Sequence, residues 1–329
     1  MALQLGIIGC GTKATQYIQT WISRDDVAIN AVMDPNPAAM DNVATIAAAA
    51  HKPAPRAYNS WQQLLQEQAA ELDAVYICTP HAAHAEQALT ALTLGLDVLL
   101  EKPMVTTVAE AEALVNAQRL SGKTLVVAYQ GGLSPLVQEL KTAIANQTYG
   151  PLVSINAAIW EDWADKYQGH WKQVPAISGG GFMFDTGAHM MNTVSKITSQ
   201  PFARISAIMH NQGFPVDVVT TVSGQLSDGT LFNLHASGRA IRCVSRIECY
   251  FPTAIVRICA WGRWMEIEDA QGNVLRKEQE AANNLLNVFM QTRTGEIDNP
   301  SDVQQGLRMA QLWDAIKLSA SQHGQPVEL

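Results

Sequence analysis

Leu3-Gln4-Leu5-Gly6-Ile7-Ile8-Gly9-Cys10-Gly11-Thr12-Lys13-Ala14 is an apolar run that breaks at two glycines, and Gln16-Tyr17-Ile18 and Trp21-Ile22 follow it at helical spacing. It reads as strand, tight turn and helix. In this G-x-G-x-x-A form Gly9 permits the turn, Gly11 lets a pyrophosphate approach the backbone, and the small Ala14 lets helix and strand pack closely. Thr12 and Lys13 lie in the same turn and belong to the candidate dinucleotide site.

The next apolar run, Val27 to Met33, ends at Asp34, about 20 residues past the glycines, where a carboxylate can accept the adenosine ribose hydroxyls. Pro35 follows, and no Lys or Arg comes before Lys52, so NAD is expected in preference to NADP. An alanine-rich helix over 37–50 leads to a short strand at Tyr58, and Ser60 is placed to cap a helix carrying Trp61, Leu64 and Leu65. Ala74 to Cys78 is a buried strand ending in Thr79-Pro80-His81; His84, Ala88, Leu92 and Gly95 follow on a helix. Asp97 to Leu100 is the next strand, 108–120 a helix closed by Ser121-Gly122, and Leu125 to Ala128 a sixth strand. This alternation predicts a parallel, doubly wound sheet over residues 1–129, an α/β Rossmann domain.

Ligands of such sheets bind at the carboxyl ends of the strands. Leu99-Leu100-Glu101-Lys102-Pro103 delivers a charged pair to that edge, and a lysine there can carry a proton, because burial and neighbouring charge move its pKa readily. Thr79, Pro80, His81, His84, Glu101 and Lys102 are therefore candidate cofactor contacts. His81 and His84 form an H-x-x-H pair, but no carboxylate or cysteine at ligand spacing accompanies them, and no metal is expected.

The length of 329 residues suggests about two domains, and 47% hydrophobic with 16% charged residues marks a globular chain. A net charge of −8 argues against nucleic acid or an anionic membrane surface as partner. Cys10, Cys78, Cys243, Cys249 and Cys259 form an odd set without C-x-x-C, which suits reduced thiols in the cytoplasm. The N-terminus lacks the basic region of a signal peptide, and the uncharged stretches are too interrupted for a spanning helix.

From Gly150-Pro151 the grammar changes. Leu152 to Ile159, Val216 to Leu226, Leu231 to Ser237, Arg246 to Phe251 and Ala254 to Cys259 read as strands without helices between them, with Asp228-Gly229 as a hairpin turn. Residues 130–329 are therefore expected to form an α+β domain on a large, mainly antiparallel open sheet, with helical patterns from Asn283 onward packing back toward the first domain. Among its tryptophans, Trp261 and Trp264 are expected in the core. Gly179-Gly180-Gly181-Phe182-Met183-Phe184-Asp185-Thr186-Gly187-Ala188-His189 reads as a glycine loop entering a helix, with Asp185, His189 and Asn192 on one face. A carboxylate beside an imidazole raises its pKa and fixes its orientation, as acid-base chemistry requires. Gly187 suggests that something flat or backbone-like packs closely there. Just upstream, Trp160, Glu161, Asp162, Trp163, Tyr167, His170, Trp171 and Lys172 mix aromatic faces with polar groups, which suits either a carbohydrate ring or a loop packed on the sheet.

The sequence resembles the Gfo/Idh/MocA family of oxidoreductases, which includes glucose-fructose oxidoreductase and inositol dehydrogenases. The resemblance rests on Gly9-Cys10-Gly11-Thr12-Lys13-Ala14, on the run from Thr79-Pro80-His81 through His84 to Glu101-Lys102-Pro103, on the triple glycine with Asp185-x-Gly187-x-His189, and on Asn283-Asn284. It implies hydride transfer between a nicotinamide cofactor and a secondary hydroxyl of a sugar, cyclitol or related polyol, with Lys102, Asp185 and His189 as the catalytic set and homodimers or homotetramers formed through the open sheet. Candidate substrate contacts are Lys102, Gln130, Trp163, Trp171, Lys172, Asp185 and His189. Two departures bear on the substrate: Asn192 stands where many members carry Asp, and Tyr129-Gln130 is followed by Gly131-Gly132 where many carry Arg. The alternatives on the same scaffold are an NAD-binding sensor and an NAD-dependent glycosidase.

Overall fold

The computed structural model describes residues 2–279 and 285–329; Asn283 and Asn284 lie outside the described residues. It divides into two compact units, one of Met1–Val105, Ala109–Ala128 and Leu286–Gln304, the other of Thr106–Val108, Tyr129–Leu285 and Gln305–Leu329. No helix among the described residues is long and apolar enough to cross a membrane.

The first unit is built on β1 (Leu3–Ile8), β2 (Val27–Met33), β3 (Arg56–Tyr58), β4 (Ala74–Ile77), β5 (Asp97–Leu100) and β6 (Leu125–Val127), with α1 (Thr12–Trp21), α2 (Pro37–Ala49), α3 (Trp61–Gln68), α4 (His84–Thr93) and α5 (Val108–Ser121) between them. The strands pair in parallel in the order β3-β2-β1-β4-β5-β6. Every residue of β4 and β5 is buried, as parallel strands covered on both faces require. Because the order reverses between β1 and β4, a crevice opens at their carboxyl ends. Ser60 caps α3 by accepting the Gln63 N–H, and Asn36 caps α2 ahead of Pro37. The C-terminal piece closes the unit away from that crevice. Arg293 binds Asp97 and Asp73, and Val127 N–H donates to Ser301 O, covering the open edge of β6.

The second unit holds a nine-stranded sheet. Its strands are β7 (Ser154–Asp162), β8 (Phe202–His210), β9 (Val219–Leu226), β10 (Leu231–Ser237), β11 (Arg239–Tyr250), β12 (Ala254–Ile258), β13 (Trp264–Asp269), β14 (Val274–Glu278) and β15 (Val327–Glu328). Their order is β14-β13-β12-β11-β7-β10-β9-β8-β15, antiparallel except for β10 against β7. Alternation puts Phe232, Leu234 and Ala236 of β10 inside and Asn233 and His235 outside. The expected hairpin at Asp228-Gly229 joins β9 and β10, with Gly229 at φ +92°. Helices α6 (Pro135–Ala145), α7 (Pro175–Ser178), α8 (Gly187–Thr198) and most of α10 (Val303–Ser321) belong to this unit; α9 (Leu285–Thr294) belongs almost entirely to the first. Strands β8, β13, β14 and β15 and helix α6 go beyond the sequence reading. The tryptophan expectation is corrected: Trp261 and Trp264 are only half-buried, while Trp163 is wholly buried. They occupy a strand end and the turn before it, where one side of the ring stays wet.

Candidate active site

In the first unit, Gly9 adopts φ +93°, and a Cβ there would stand 2.4 Å from Cys78 O. Gly11 differs: its φ is −64° and an added Cβ would meet nothing within 4 Å. Neither backbone strain nor packing demands glycine at that point, so the space over it is open to an approaching group. Ala14 is fully buried against the sheet. Asp34 Oδ2 accepts Cys10 N–H at 2.8 Å and Oδ1 accepts Asn36 N–H at 2.9 Å, which fixes the carboxylate beside the turn. Burial, then the Asp34 charge, pushes the Cys10 thiol up to about 12, so it is inert. A cleft of about 520 Å³ opens along Cys10, Gly11, Thr12, Thr15, Gln16 and Asn36, and its lining carries no charged side chain. Lys13 lies over the Tyr17 ring and Lys52 bonds to Asp25. These groups suit a dinucleotide: an uncluttered glycine for the pyrophosphate and a fixed carboxylate for a ribose.

The loops after β4 and β5 are tied together from beneath. His84 is wholly buried, and its Nδ1 and Nε2 lie 2.9 Å from Pro103 O and Thr79 O respectively. Burial, opposed by those carbonyls, pushes its pKa down. Thr79 Oγ1 donates to Gln87 Oε1, and Pro80 and the buried His81 follow it into α4. Glu101 turns inward, accepting Tyr76 O–H at 2.9 Å and Lys102 N–H at 3.2 Å. Lys102 is thus carried on a turn whose neighbours are held in place, and it is half-buried ahead of a cis bond to Pro103. The His81 and His84 rings are 5.8 Å apart, and no group of three metal-ligating side chains occurs among the described residues.

In the second unit, α8 starts at Gly187, so Asp185 sits in the turn leading into it, one helical turn ahead of His189. Asp185 is buried; its Oδ2 accepts Trp163 Nε1–H at 2.9 Å and meets Lys172 Nζ at 2.6 Å. Thr186 Oγ1 donates to Glu161 Oε2 at 3.0 Å. His189 is half-buried, its ring 5.5 Å from that of Trp261. The close neighbour of Gly187 is its own preceding turn, since a Cβ would stand 2.9 Å from Met183 Sδ. Gln130 is half-buried in the short turn Gln130–Leu133, which packs on α8: a Cβ on Gly131 would stand 2.1 Å from Ala260 O and 2.3 Å from Thr193 Oγ1. Asn192 Nδ2 and Tyr129 O–H are buried and have no hydrogen-bond partner among the described residues. Trp163 offers no face to a ligand, whereas Trp171 is half-buried against the exposed His170.

Two family models match the chain, an oxidoreductase-family NAD-binding Rossmann fold over residues 3–129 and the GFO/IDH/MocA C-terminal domain over 137–254. The chain belongs to the Gfo/Idh/MocA family. It is 33% identical over 125 residues to Oxidoreductase P35 of Formosa agariphila, covering 37% of this chain and 39% of that one. Against trans-1,2-dihydrobenzene-1,2-diol dehydrogenase of Bos taurus it is 28% identical over 233 residues, 70% of this chain and 66% of the relative. The alignments thus span less than two thirds of those relatives. Its fold matches that of an inositol dehydrogenase homolog complexed with NAD+ from Azotobacter vinelandii, with a TM-score of 0.88 at 16% identity over 100% of this chain and 98% of that one.

In this Gfo/Idh/MocA chain one residue that sequence reasoning passed over governs the glycine loop. Asp217, just before β9, accepts Gly181 N–H at 2.7 Å, Met183 N–H at 3.0 Å and Thr220 O–H at 3.3 Å, and its own carbonyl accepts Phe182 N–H at 2.9 Å. A Cβ on Gly181 would stand 2.0 Å from Asp217 O, and one on Gly180 2.4 Å from Trp313. The triple glycine therefore serves close approach to protein. Burial pushes the Asp217 carboxyl up, against those donors. An acid ahead of a strand, 36 and 34 residues from the two loop amides it accepts, gave no local sign of this.

Proposed function

We propose that this protein is an NAD-dependent dehydrogenase or ketoreductase acting on a secondary hydroxyl or ketone of a sugar, cyclitol or related polyol. The observation that carries the reading is Asp185, a buried carboxylate held on one oxygen by Trp163 and Lys172, one turn ahead of His189. In this reading His189, oriented by Asp185, takes the hydroxyl proton on its imidazole. The Lys102 ammonium stabilises the oxyanion. The nicotinamide, when bound, accepts or returns the hydride. Asp34 holds the adenosine ribose, and a cleft lined by Thr12, Thr15, Gln16 and Asn36 without a cation favours NAD over NADP. The dihydrodiol relative supports a polyol substrate. Pairing of two copies through the exposed sheet face, which carries Thr221, Ser223, Asn233 and His235, is part of the same reading.

The test is absorbance of reduced nicotinamide over a panel of sugars and cyclitols with wild type, Lys102→Met and His189→Ala. Net reduction by wild type and a loss of at least ~100-fold in kcat in each variant is expected. Near-normal kcat in either variant removes that residue from the catalytic set. Release of an aglycone without net reduction points to a glycosidase, and binding without turnover to a sensor.

A further inference from the structure

Lys172, a candidate substrate contact by sequence, has its ammonium engaged inside the protein. Nζ lies 2.6 Å from Asp185 Oδ2, with side-chain exposures of 21% and 4%, and sits 4.5 Å from the centre of the Tyr167 ring. Burial works against its charge, but Asp185, then Tyr167, hold its pKa above the ordinary lysine value. The cation is therefore maintained against a carboxylate that is almost out of water.

We propose that Lys172 is a positioning residue that, through its ion pair with Asp185, sets the pH at which His189 exchanges its proton. The proposal rests on the functional reading above, in which His189 is the base. A lone carboxylate beside an imidazole stabilises the imidazolium and moves proton release to higher pH. A cation bound to the same carboxylate offsets much of that field and moves proton release back to lower pH. Other charges face this group. Glu161 of β7 is engaged by Thr186 and Lys166. Tyr167 lies under Lys172, His170 lies within the fields of Lys172 and Asp185, and Arg263 stacks over Trp261 beside His189. Trp163 adds a neutral donor to Asp185 Oδ2, so it orients the carboxylate without cancelling its charge.

The experiment compares Lys172→Gln, Lys172→Met and Lys172→Arg with wild type by two readouts. One is the ascending limb of kcat/KM against pH for alcohol oxidation; the other is the NMR titration of the His189 imidazole in the protein without cofactor or substrate. Lys172→Gln, which keeps a donor for Asp185 and loses the charge, and Lys172→Met are each expected to move both midpoints upward by about one pH unit. Lys172→Arg, which keeps the charge, is expected to leave them in place. An unmoved imidazole midpoint in the Gln variant overturns the proposal, whether kcat falls or not, and a raised KM with that midpoint unmoved assigns Lys172 to the substrate instead. Near-normal kcat in His189→Ala sinks the functional reading alone, because the NMR midpoint is read without turnover.

Discussion

Replacing Asp217 by Ala strands two buried backbone donors, Gly181 N–H and Met183 N–H, which the carboxylate accepts at 2.7 and 3.0 Å. A buried donor without a partner costs about 1–3 kcal/mol, so the two together amount to roughly 3 kcal/mol of the second unit's stability. For a unit of this size that lowers the melting temperature by about 6–12 °C. The loop carrying Asp185 begins at those residues, so kcat is expected to fall with the stability loss and to fall even at temperatures where the variant is fully folded. Thr220→Val serves as the control, because it removes only the 3.3 Å hydroxyl contact and costs about 1 kcal/mol or less. Differential scanning calorimetry and steady-state kinetics at 15 °C read both effects. An Asp217→Ala protein that melts within about 2 °C of wild type would show that the loop finds other acceptors, and that Asp217 does not hold it.

Asp34→Ala should weaken NAD more than NADP by calorimetric titration, and an unchanged ratio would count against the ribose assignment. Arg293→Ala leaves the buried Asp97 carboxylate without its 2.6 Å guanidinium partner and should destabilise the first unit by ~2 kcal/mol, discounted because Arg293 is partly solvated; hydrogen exchange across β4 and β5 locates the loss. His84 predicts the acid response. Its folded pKa lies below the unfolded value, so the unfolded chain binds the proton first, and the stability present above pH ~6.5 is lost as pH falls toward the folded value. His84→Gln should flatten that limb of the urea midpoint against pH, and an equally steep limb would exclude His84 as its source.

Elements whose signals are local could be read along the chain. The apolar run into Gly9 and Gly11, the fully buried strand before Glu101-Lys102-Pro103 and the Asp228-Gly229 turn each express one backbone period or one turn chemistry over a few residues. The strands missed in the second half, β8 and β13 among them, carry interrupted or charged alternation, because one face of that sheet is wet and the buried face is shared with helices.

The sequence by itself determined the doubly wound first half, the place of the dinucleotide turn, and the placing of Asp185 one turn of chain ahead of His189. Only the tertiary structure decided that β10 lies parallel to β7, that α9 and α10 go largely to different units, and that Trp163 and Lys172 converge on one oxygen of Asp185. It also put Asp217 behind the glycine loop. The physical reason is range: strand periods and glycine turns are written in adjacent residues, whereas a buried charge finds its partner through sheet register and packing, across separations that no local pattern encodes.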